Sequence, residues 1–168
     1  MDANLLEKPA VFSPDRKYRY TLLRNFGPGR RPGVAPTVSF ICLNPSTADE
    51  VKNDPTVTRC IKFAQRWGYG SMYMLNIFAL RSTDPLELYR QTDPIGPFND
   101  EYILRAVERS SLVVAGWGNH GALLSRGWNV IKLLQMAGVR LMRLGSLTIA
   151  GQPRHPLYLK GDLRPEQL

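Results

Sequence analysis

The sequence predicts an α/β fold with three layers, α/β/α, around a central, mostly parallel four-stranded sheet. An N-terminal strand is expected to join it as an antiparallel hairpin. Three observations lead there. Short apolar, β-rich runs alternate with segments of helical spacing. Most of these runs are followed by polar loops rich in Gly, Pro, Asn or Asp. The 168 residues suffice for one domain with a real core and are too few for two ordinary ones, so residues 1–168 read as a single domain.

Residues 18–23 alternate and are rich in β formers, which predicts the first strand. Residues 27–36 form a Gly/Pro/Arg loop, and 37–43 a buried strand expected to pair with the first. A polar loop covers 44–56. Helical spacing over 57–67 puts Val57, Cys60, Ile61, Ala64 and Trp67 on one face. Asp54 reads as its N-cap rather than as a catalytic acid, with Pro55 at the first helical position. Residues 71–80 predict the next buried strand. The connection over 81–100 is long and Pro-rich, with a short helix over 85–90, and loops of that length are usually functional. Asn99 or Asp100 is a candidate cap for a helix reaching about Ser110. Strands over 112–115 and 139–144 flank a helix over 125–137 that Gly138 ends. The tail from Gly145 reads as irregular.

Hydrophobic residues make up 43 % and charged residues 21 %, a globular balance. No apolar run approaches the ~20 residues of a membrane helix, and the first residues lack the basic start and apolar stretch of a secretory signal. A cytoplasmic, monomeric protein with no membrane partner is expected. Lys and Arg total 22 against 14 acids, a net charge of +8. That excess fits a polyanionic partner, nucleic acid first, or a generally basic enzyme. Cys42 and Cys60 are too few for a four-cysteine zinc site or an iron–sulfur cluster, and Cys42 in an apolar run reads as structural. His120 and His155 lie far apart in the chain without ligand spacing. Neither a metal nor a cofactor is expected.

In open α/β sheets, ligands sit at the carboxyl ends of the strands. Four segments land there: LNPSTAD at 43–49, NIFALR at 76–81, GWGNHG at 116–121 and RHPL at 154–157. With DPTVTRCIKFAQRWGYG and DPIGPFND, they resemble a bacterial and phage family of small proteins known only as a domain of unknown function. Ile149 stands in LTIAG where a lysine is expected in that family.

The order of these motifs is also similar to the uracil-DNA glycosylase superfamily. There a first strand ends in an NP loop, a second carries Asn, a third ends in Trp-Gly, and a late loop carries His-Pro. Here these are Asn44-Pro45-Ser46, Asn76, Trp117-Gly118 and His155-Pro156. Ser46 replaces a glycine, and Leu157-Tyr158 replace Ser-Pro. The resemblance implies a uracil-DNA glycosylase-like fold and a DNA glycosylase that hydrolyses the N-glycosidic bond of a modified or damaged base flipped from DNA. A phage or antiphage role suits that family.

Breaking this bond leaves an electron-poor sugar and an anionic base. The resemblance implies that Asn44 holds the attacking water and that His155 donates to a base carbonyl as charge develops there. Asp49 could orient the water or contact the substrate. Pro45, Ser46, Trp117 and Gly118 would shape the base pocket. Asn76 reads either as a base-edge reader or as a satisfied core amide, and Phe78 either stacks on the base or belongs to the core. Arg59 and Arg81 would contact phosphate or pair with acids. Leu157, Tyr158 or Leu159 would fill the gap left by the base. Arg30, Arg31, Arg154 and Lys160 would hold the DNA backbone. The alternatives are a non-catalytic reader of modified bases and an enzyme of free nucleosides or nucleotides.

Overall fold

A computed structural model of the chain describes residues 3–27 and 36–168. Among these, seven strands form one mixed sheet, accompanied by three α-helices. The strands are β1 (Ala10–Phe12), β2 (Arg19–Asn25), β3 (Thr37–Cys42), β4 (Ser71–Asn76), β5 (Leu112–Ala115), β6 (Leu141–Leu144) and β7 (Pro165–Gln167). The helices are α1 (Pro55–Arg66), α2 (Asn99–Glu108) and α3 (Arg126–Met136). Sheet order is β1-β2-β4-β3-β5-β6-β7. The pairings β4–β3, β3–β5 and β5–β6 are parallel, while β1, β2 and β7 run antiparallel to their neighbours.

Strand periodicity divides the core in two. Val38, Phe40 and Cys42 of β3, with Met72 and Met74 of β4, pack with Val57, Cys60, Phe63 and Ala64 of α1. The intervening residues Ile41, Tyr73 and Leu75 join Ile103, Ala106 and Val107 of α2 and Val130 and Leu134 of α3. Successive strand side chains point to opposite faces, so a strand covered on both faces reads as a continuous apolar run.

The expected hairpin between the first two strands does not form. β2 pairs with β1 and β4, because both edges of β3 are taken by its parallel partners β4 and β5. The edge strands β1 and β7 add to the expected set. The strand expected over 71–80 leaves the sheet after Asn76. Beyond it, the amides of Ile77 and Phe78 donate to Cys42 and Leu43, and those of Ala79 and Leu80 to Ile95 and Pro94 of the long connection.

Asp54 caps α1, accepting from the Val57 amide at 2.8 Å, with Pro55 at the first helical position. Such a cap stabilises by about 1 kcal/mol. Neither Asn99 nor Asp100 caps α2. Phe98 holds that position without a side-chain hydrogen bond. Asn99 instead turns inward and donates to the carbonyls of Asn76 and Ile77 at 2.9 and 3.0 Å. Asp100 pairs with the buried Arg126, whose Nε donates to the Ile77 carbonyl at 2.7 Å. Interior groups thus brace the turn after β4. Among the described residues, no helix is long and apolar enough to cross a membrane.

Candidate active site

The loops after β3, β4 and β5 and the tail loop around His155 enclose a cavity of about 540 Å3, within the ~300–1,000 Å3 typical of small-ligand sites. Asn44, Ser46, Trp117, Gly118, Arg154, His155, Leu157 and Tyr158 all line it. The strand-end loops therefore converge on one space.

Asn44 follows the end of β3 by two residues. Its Nδ2 donates to the carbonyls of Ser82 at 2.9 Å and Pro45 at 3.1 Å. The Ser82 amide in turn donates to the Pro45 carbonyl at 2.9 Å, so the loops after β3 and β4 are tied together. Pro45 is a buried pivot and does not line the cavity. With both amide protons committed, Oδ1 is the atom of Asn44 left to accept a proton donor from the cavity.

The loop after β5 and the tail loop are fitted to each other. A Cβ on Gly116 would lie 2.7 Å from Cδ of Pro156, and the Gly118 amide donates to the Pro153 carbonyl at 2.8 Å. Gly118 has φ of +70°, which favours glycine. Trp117 is buried, its Nε1 donating to Gln152 Oε1 at 2.8 Å. A Cβ on Gly121 would stand 2.0 Å from the indole, so that glycine makes room for the ring.

His155 is half-buried and opens the short 3-10 turn Pro156–Tyr158. Its Nδ1 accepts from the Leu157 amide at 3.4 Å. Burial pushes its pKa below the ordinary 6.5, and Asp54 opposes that shift. The imidazole is therefore neutral near pH 7. Assigned from the Leu157 contact, its proton sits on Nε2 as a donor.

The remaining expected residues divide. Asp49 accepts from the Val51 and Lys52 amides at 2.9 and 2.7 Å, and those amides hold its carboxyl below its usual range. It closes its own turn and does not line the cavity. Asn76 is buried and accepts from Arg19 at 3.0 Å, so the core-amide alternative holds. Phe78 is fully buried in the core. Arg19 holds the Asn76 amide inside the sheet, and Phe78 turns into the core once the chain leaves the sheet after Asn76. Arg59 bonds the Leu159 carbonyl and faces a neighbouring surface cleft with Asn53 and Lys62. Arg81 lines a second cleft with Arg16 and Lys17. Arg154 Nε donates to the Ser146 carbonyl at 3.1 Å at the cavity wall. Tyr158 is 83 % exposed at the rim. Lys160 is exposed and outside the cavity lining. Arg30 and Arg31 lie outside the described residues.

Several residues escaped the sequence reading. His120 lines the same cavity as His155, with its Nδ1 3.1 Å from the Tyr89 hydroxyl. It was legible only as part of GWGNHG. Thr56, Ser82, Thr83, Asn119 and Thr148 also line the cavity, and the length of the 81–100 connection was the one signal for Ser82 and Thr83. Arg19 is fully buried beneath the first loop, donating to the Ala48 carbonyl and Asn76 Oδ1 at 3.0 Å each. Burial draws its pKa down to about 10, with Asp54 opposing. Cys42 and Cys60 are both buried and free, and burial pushes the Cys60 thiol well up. Among the described residues, no group of three His, Cys, Asp or Glu is placed to hold a metal.

No curated protein and no solved structure matches the chain significantly. The model of a family described as a protein of unknown function, DUF1643, matches residues 19–157, which include every residue named above as lining the cavity except Tyr158. The chain therefore belongs to the DUF1643 family.

Proposed function

We propose that the protein is a DNA glycosylase that hydrolyses the N-glycosidic bond of a modified or damaged base flipped into the cavity. One observation carries this reading. Asn44 and His155 each have one polar atom tied to backbone, and each leaves the other atom for the same cavity. The two free atoms are an acceptor and a neutral donor, the pair this reaction requires.

In the reaction, Asn44 Oδ1 accepts from a water whose oxygen bonds to the anomeric carbon. The bond from that carbon to the base nitrogen breaks, and its electron pair leaves with the base. His155 Nε2–H donates to the base carbonyl where negative charge grows. A preorganised donor of this kind is worth about 2.7–4 kcal/mol in a transition state. The water's proton passes to solvent or to the departing base. Four parallel strands whose carboxyl ends carry the site support a layout like that of the uracil-DNA glycosylase superfamily. Ser46, Thr83, Asn119 and His120 line the same cavity and would contact the base. The exposed Tyr158 is the wedge that enters the stack as the base leaves it.

The test is incubation with duplex and single-stranded DNA carrying uracil, deaminated bases or hypermodified bases, followed by alkali. Strand scission at the modified position, with the free base identified by mass spectrometry, is the expected outcome. Tight binding to such DNA without any abasic product would make the protein a non-catalytic reader. Turnover of nucleosides alone would make it a small-molecule enzyme.

A further inference from the structure

We infer that the cleft between Arg16, Lys17 and Arg81 is a phosphate subsite, holding the phosphate ester attached to the nucleoside whose base occupies the cavity. The inference rests on that reading of the cavity. The cleft measures about 480 Å3 and shares Ser46, Ser82 and Thr83 with the cavity as a common wall. Three cations thus stand beside hydroxyl donors, which is the chemistry that binds a phosphate oxyanion.

Two further observations point the same way. Both guanidiniums rest over the Phe12 ring, Cζ of Arg16 at 3.9 Å and that of Arg81 at 4.9 Å from its centre. This shared platform holds together residues that lie 65 positions apart, and Arg81 Nη1 donates to the Arg16 carbonyl at 3.2 Å. Arg16 itself has φ of +57°, the left-handed region that favours glycine. An arginine kept in strained backbone marks a position where the side chain matters more than local ease. Its pairing with Glu50, at 2.7 and 3.0 Å, is exposed. Such a pair is weakly held and yields to a phosphate.

A phosphate ester could come from a DNA strand or from a free nucleotide, and the experiment separates them. Wild type, Arg16→Gly and Arg81→Gln are titrated with a fluorescein-labelled single-stranded oligonucleotide between about 50 and 200 mM salt, and with a deoxynucleoside 5′-monophosphate by calorimetry. For a strand phosphate, each variant weakens oligonucleotide binding whatever the base sequence. Each also flattens the log–log salt slope by about 0.7. An oligonucleotide with uncharged methylphosphonate linkages then removes the difference between wild type and variants. For a free nucleotide, the loss falls on the monophosphate alone. Wild-type binding of neither probe, or variants that bind both as wild type does, overturns the subsite. Arg16→Gly relieves the strained backbone, so its melting temperature should match or exceed wild type, and lost binding then cannot be ascribed to unfolding. The abasic-site assay is independent of these titrations. Phosphate-dependent binding without base release defeats the glycosylase reading and leaves the subsite standing.

Discussion

Asn44 gives an amide proton to the Ser82 carbonyl at 2.9 Å, across 38 positions of chain. This bond joins the loops after β3 and β4 and orients the amide at once. On the proposed mechanism, Asn44→Ala should therefore lower base release by on the order of 10²-fold or more while barely moving stability, since water can reach the half-buried Ser82. Asn44→Asp tests the tie itself. A carboxylate would set a charged acceptor against the Ser82 and Pro45 carbonyls, where alanine leaves room for water, so it should cost about 1–3 kcal/mol, roughly 2–4 °C of melting temperature per kcal/mol. Full turnover in Asn44→Ala would remove Asn44 from the mechanism.

The lowered pKa of His155 has a consequence for stability. The unfolded chain takes up a proton near pH 6.5 while the folded imidazole stays neutral. Below that pH the unfolded state binds more protons, so this residue makes stability rise with pH. As pH falls from about 7 to 5, wild type should lose melting temperature relative to His155→Gln. Asp54 holds the folded pKa up. Asp54→Asn, which keeps a good cap, should widen the acid-sensitive window downward. Parallel melting curves for wild type and His155→Gln across this range would contradict the burial of the imidazole.

Gly116 is where the loop after β5 meets the tail loop. Gly116→Ala would place a methyl 2.7 Å from the Pro156 ring, and a ring fixed in the backbone has little room to give. Overpacking of this kind costs about 1–3 kcal/mol. Because Pro156 follows His155 directly, turnover should fall together with melting temperature. A variant as stable and as active as wild type would show that the two loops do not depend on this contact.

Local chemistry determined much of this protein. The alternation of β-rich runs with helical spacing announced an α/β sheet. Asp54-Pro55 marked the start of α1, and the strand-end motifs pointed to Asn44, Trp117-Gly118 and His155 as neighbours. Such signals survive in one dimension because propensity, capping and periodicity involve residues within a turn or two of one another. Only the tertiary structure decided which strand lies beside which. β2 joined β4 because both edges of β3 were occupied. The same long-range packing buried Asn76 against Arg19 and Phe78 in the core, kept Asp49 in its own turn, and brought His120 to the cavity of His155. It also set Arg16 and Arg81 over one phenylalanine. These placements depend on contacts between residues dozens of positions apart, which no local pattern encodes.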